Sequence, residues 1–113
     1  MDNYRDVRAS VMRWVNKQYE IIQDQGVELS DGGIELARSV GVLEPTRIRV
    51  LLVDQIPING DPVVQSLAKS AGMLNGSILG MTFGHSIYIA RGAGSARLYS
   101  HEFRHVYQYE TFD

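Results

Sequence analysis

Ser100-His101-Glu102-Phe103-Arg104-His105-Val106-Tyr107-Gln108-Tyr109-Glu110 lies near the end of a 113-residue chain. Its apolar residues recur at helical spacing, and a helix is expected from about Ala96 to Tyr109 with Ser95 as its cap. With His101 set at zero on a helical wheel, Ala96, Tyr99, Phe103, Val106 and Tyr107 fall between roughly 140° and 240°. That arc is the expected core face. His101 and His105 lie about 40° apart on the opposite side, one turn above the other, with Arg97, Arg104 and Gln108 as neighbours. The histidine pair therefore faces a cleft or solvent.

Two imidazoles so placed can reach one metal ion. Glu102 sits about 100° around from His101, beside the pair rather than behind it. This arrangement divides the labour of a hydrolytic zinc site. Neutral imidazoles hold Zn²⁺, the ion lowers the pKa of its water, and a neighbouring carboxylate takes the proton. His101 and His105 are the expected ligands and Glu102 the expected general base.

The segment Gly80-Met81-Thr82-Phe83-Gly84-His85-Ser86-Ile87-Tyr88-Ile89, followed by the His101–Glu110 stretch, resembles small bacterial zincin-like proteins. Their pattern is a Thr-x-Gly-x-x-Ile hairpin followed by His-Glu-x-x-His-Val-x-Gln-Tyr-Glu. The resemblance covers about the last third of the chain. It implies an α+β, zincin-like minimal domain with the hairpin forming the sheet edge beside the metal helix. In such folds the edge strand can pair with an extended peptide. It implies no particular substrate.

A catalytic zinc usually has three protein ligands and a water. A third histidine six residues after His105 is excluded, because Thr111 stands there, and only eight residues follow His105. Glu110 is the first candidate for a third ligand. On a continuous helix it lies about 180° from His101, on the core face, where a carboxylate needs a partner. Either the helix ends first and the chain turns back, or a buried group such as an arginine holds Glu110. Asp113 is the second candidate. His85 is the third, at the expected hairpin tip where a polar turn residue is ordinary. The stretch Gln108–Asp113 carries no helix stop, which fits a natural chain that continues.

Outward from this helix, Tyr4 to about Gln23 reads as a long amphipathic helix. Tyr4, Val7, Val11, Trp14, Val15, Gln18 and Ile22 form its stripe, broken only by Gln18. Gly26 is the expected stop. A second helix is expected from Ser30 to Ser39, capped by Ser30 or Asp31 and ended by Gly41. After a break at Pro45, Arg47–Asp54 is the best strand, apolar enough to be central. Asp61-Pro62 opens a helix through Val63, Val64, Leu67, Ala68 and Ala71. Ser77–Arg91 reads as a β-hairpin turning at Gly84-His85. The expectation is a small sheet with an antiparallel hairpin edge, packed against helices.

Composition narrows the function. The length implies one domain over residues 1–113. With no cysteine there is no disulfide framework and no thiolate site, so a metal must be held by His, Asp or Glu. A net charge of −2 offers no basic stripe for nucleic acid. No signal peptide or membrane-spanning run is visible, so a cytoplasmic location is expected.

Tyr88 and Tyr107 are candidates for oxyanion stabilisation, with packing as the ordinary alternative. Arg97 and Arg104 are candidates for binding a substrate carboxylate, and Asp54 for support of the site. The leading expectation is a zinc-dependent hydrolase acting on a peptide or protein. The competing one is a non-catalytic, zincin-shaped interaction domain, with the first helix as a dimer or partner surface.

Overall fold

The computed structural model describes residues 3–58, 62, 65–66 and 78–112. Three long helices surround a four-stranded mixed sheet, an α+β arrangement. The helices are α1 (Asn3–Gln25), α2 (Asp31–Val40) and α3 (Ala96–Phe112). The strands are β1 (Val27–Glu28), β2 (Arg49–Val53), β3 (Gly80–Phe83) and β4 (Ser86–Ala90), in the sheet order β1-β2-β4-β3. The helix expected over 61–71 lies outside the described residues, except that positions 62, 65 and 66 are helical.

The expected hairpin forms as β3 and β4, antiparallel, with Phe83 opposite Ser86 and Gly80 opposite Ile89. Gly84 turns the chain with φ +62°, a conformation that glycine adopts without a Cβ clash. β2 is central, as its apolar run implies. It pairs in parallel with β4, placing Val50 opposite Ile87 and Leu52 opposite Ile89. Two residues, Val27 and Glu28, add an antiparallel edge to β2. That edge is too short to leave a period-two signature in the sequence.

Strand side chains alternate between faces, and the sheet uses both. Val50, Ile87 and Ile89 pack with Ala37, Phe103 and Val106 beneath α2 and α3. Phe83 and Tyr88 pack with Ile22, Trp14 and Tyr19 beneath α1. The molecule is therefore layered as α1, sheet, and α2 with α3. β4 lies in the middle, and its residues Ser86 to Ile89 are all buried.

Local signals account for the helix ends. Ser30 caps α2, its Oγ accepting the Gly33 N–H at 3.1 Å. Gly41 closes α2 at φ +115°, its N–H donating to the carbonyls of Ala37 and Arg38. Such a C-terminal turn satisfies carbonyls the helix leaves unpaired. Gln18, the one polar residue in the α1 stripe, is buried and accepts a hydrogen bond from the Tyr88 hydroxyl. The break in the stripe is thus a paired polar group inside the core.

Candidate functional site

α3 meets the sheet through β3, whose side chains divide between the two faces. Met81 and Phe83 turn toward α1. Gly80 and Thr82 turn toward α3, where they meet Glu102. The Thr82 hydroxyl donates to Glu102 Oε1 at 2.6 Å. A Cβ on Gly80 would come within 2.9 Å of Glu102 Oε2 and 3.1 Å of its carboxyl carbon. Only a residue without a side chain leaves that carboxylate its place. Glu102 is buried at 3 % exposure, and among the described residues Thr82 alone hydrogen-bonds its carboxylate, at Oε1.

His101 and His105 lie on the adjoining, exposed face of α3. Their rings are 4.9 Å apart between centroids and nearly perpendicular, at 83°. A Zn–N bond is about 2.0–2.1 Å, and a ring nitrogen sits about 1.1 Å from its centroid, so two imidazoles on a tetrahedral ion have centroids about 5 Å apart. The observed spacing is compatible with that requirement and equally with an ordinary edge-to-face ring pair. His105 Nδ1 lies 3.1 Å from Gln108 Oε1. A carbonyl oxygen only accepts, so Nδ1 is the donor in this contact, and Nε2 is the ring nitrogen that it does not use.

One cleft collects these groups. It measures about 650 Å³. His101, Glu102, His105 and Tyr109 of α3 line one side, and Trp14 and Val15 of α1 the other. β3 and Gly84 run between them. The cleft thus follows the sheet edge between two helical layers.

The other sequence candidates lie elsewhere. Glu110 is not brought to the histidine pair. α3 continues past it to Phe112, so the chain does not turn back there. Its carboxylate accepts the N–H of Leu43 at 2.7 Å and of Glu44 at 3.0 Å, and Nε2 of His85 lies 2.8 Å from Oε2. The group that holds Glu110 is therefore a histidine with two backbone amides, not an arginine. Burial works against its charge, but the amide and histidine hydrogen bonds and the His85 charge outweigh it and leave its pKa below the ordinary carboxylate value. An ionised carboxylate only accepts, so Nε2 of His85 is the donor.

His85 does stand in the hairpin turn, but its side chain points inward and is buried. Asp113 lies outside the described residues. Among the described residues, no cluster of three or more His, Asp or Glu side chains is placed to hold a metal ion.

Tyr88 is buried under α1, bonded to Gln18, and burial raises its pKa. Its hydroxyl is engaged away from the cleft. Tyr107 packs beside Gly41 at the end of α2. Arg97 and Arg104 are exposed and do not line the cleft. Asp54 pairs with Arg91 at 2.9 Å on the surface.

Thr82, Gly80, Gln108 and Trp14 belong to the site's surroundings and were not singled out by sequence reasoning as functional. Gln108, three residues beyond His105, had a helical spacing that could have revealed it. Thr82 and Gly80 depend on how β3 docks against α3, which no local pattern encodes. Comparison with models of known protein families, with curated proteins and with solved structures yields no match to this chain. Among the described residues no helix is long and apolar enough to cross a membrane.

Proposed function

We propose that this chain is a minimal zincin-like, zinc-dependent hydrolase whose substrate is an extended peptide. The observation that carries the reading is the single cleft that holds His101, Glu102 and His105 against the edge strand β3. The two imidazoles are the donors for Zn²⁺, at a spacing that suits it. The ion, when bound, supplies a Lewis acid and a water acidic enough to ionise near neutral pH. Glu102 receives the proton at Oε2, the oxygen that Thr82 leaves without a hydrogen bond. Thr82 holds the carboxylate in place, and Gln108 holds the His105 ring through Nδ1, so that Nε2 would be the nitrogen offered to the ion. A peptide lying along β3 brings its carbonyl into the same cleft.

Zinc analysis of protein purified without chelator tests the reading, together with turnover of a quenched fluorescent peptide library. One zinc per chain is expected, lost in His101→Ala and His105→Ala. Glu102→Gln should keep the zinc and lose turnover by about a hundredfold or more, the range a general base contributes. Zinc well below one per chain, or turnover that survives Glu102→Gln, would falsify the proposal.

A second reading is favoured by the lack of a third ligand among the described residues. In it the chain is a zincin-shaped binding module without turnover. Peptide binding along β3 that persists in Glu102→Gln, with no cleavage by the unaltered chain, is its expected signature.

A further inference from the structure

A second cavity lies between α1 and the sheet, on the far side of an aromatic wall from the cleft. It measures about 520 Å³. Trp14 lines both spaces. Its ring meets Phe83 edge-on at 5.3 Å, and Phe83 meets Tyr88 edge-on at 6.0 Å. Phe83 faces the cleft and Tyr88 faces the second cavity. Three rings thus separate the two.

The second cavity has an apolar floor and a cationic rim, with Gln18, Gln25 and Gln55 also in its lining. Leu51 and Val53 of β2 and Tyr88 of β4 form the floor. Tyr88 is buried and its hydroxyl is committed to Gln18, so its ring backs the floor that Leu51 and Val53 present. Arg13 and Lys17, one turn apart on α1 and both exposed, stand at the rim. Arg13 gives one guanidinium nitrogen to the Ser10 hydroxyl at 3.0 Å, and among the described residues its remaining donors have no hydrogen-bond partner. Among the described residues that line the cavity there is no Asp or Glu. Its volume falls within the range of about 300–1,000 Å³ typical of small-molecule sites.

We propose that this cavity binds a small amphipathic carboxylate. Arg13 and Lys17 take the carboxylate at the rim, where their charges stay hydrated. The apolar body lies on Leu51 and Val53, backed by the Tyr88 ring, where it leaves water. The binding stands on the cavity's own lining and is independent of any metal in the cleft.

The test uses the full chain without metal and decanoate below its micelle concentration. Trp14 is the chain's one tryptophan, so its fluorescence reports the wall directly. A saturable change is expected with decanoate and not with decyltrimethylammonium. The double variant Arg13→Gln, Lys17→Gln should weaken decanoate binding at least tenfold, and circular dichroism should confirm that this surface variant stays folded. Amide shifts in the NMR spectrum should centre on Leu51 and Val53. Absence of a saturable change, equal binding of the cationic amphiphile, undiminished binding by the double variant, or shifts centred on Met81 and His101 would each overturn the proposal.

Discussion

Glu102 and Glu110 sit eight residues apart on one helix, and their surroundings give them opposite tasks. Glu102 has one neutral donor, Thr82, and faces a cleft. Glu110 has three donors and no route to the histidine pair. Thr82→Val preserves shape and removes the hydroxyl, leaving a buried carboxylate without its hydrogen bond. The expected loss is about 1–3 kcal/mol in denaturant unfolding, with Thr82→Ser recovering most of it.

Glu110 stabilises the fold in a pH-dependent way. Its folded pKa is depressed, so the native state binds its proton less readily than the unfolded chain does. That stabilisation is complete above the unfolded carboxylate value and is lost as pH falls through the folded one. Unfolding of Glu110→Gln compared with the unaltered chain should therefore show a gap at neutral pH that closes in acid. A gap that widens in acid would contradict the assigned ionisation. The sequence places Glu110 on the core arc, where a carboxylate needs a partner. It did not identify His85, because the two are 25 positions apart and meet only when the hairpin tip docks on α3.

At the scale of elements, most of what is local was legible. The α1 stripe, the Ser30 cap, the Gly41 stop, the central strand and the hairpin all follow from spacing and from residues with special backbone preferences. Gly41 can be tested. Its φ of +115° is unfavourable for an L-residue, and a Cβ there would approach the Tyr107 ring to 3.0 Å. Gly41→Ala should cost about 1–2 kcal/mol from conformation alone, read as a lower midpoint of denaturation. What was not legible is β1 and the parallel pairing of β2 with β4. β1 is a strand because β2 offers it an edge, and its two residues are themselves exposed. β2 and β4 are distant in the chain and their parallel pairing is a tertiary contact, which periodicity does not describe.

For the molecule as a whole, layering determines both stability and the position of the cleft. β4 is hydrogen-bonded on both sides and covered on both faces. Its amides at Ile87, Tyr88 and Ile89 should exchange hydrogen only through global unfolding, while those of Val27 and Glu28 exchange far faster. Exchange mass spectrometry or NMR can check the order. Equal protection of β1 and β4 would be incompatible with the sheet order. Among the described residues the same layering leaves β3 at an edge between α1 and α3, and the cleft follows that edge.

The sequence alone determined the pairing of His101 with His105 on one helical face, with Glu102 beside them, because a helix repeats on a fixed pitch and four residues nearly close a turn. It also determined that the two histidines turn away from the apolar arc. Only the tertiary structure decided that Thr82 and Gly80 enclose the Glu102 carboxylate, that Glu110 is held by His85 and the amides of residues 43 and 44, and that Trp14 closes the far side of the cleft. Those contacts join segments distant in the chain. Their geometry comes from how the layers pack, and local spacing carries no record of it.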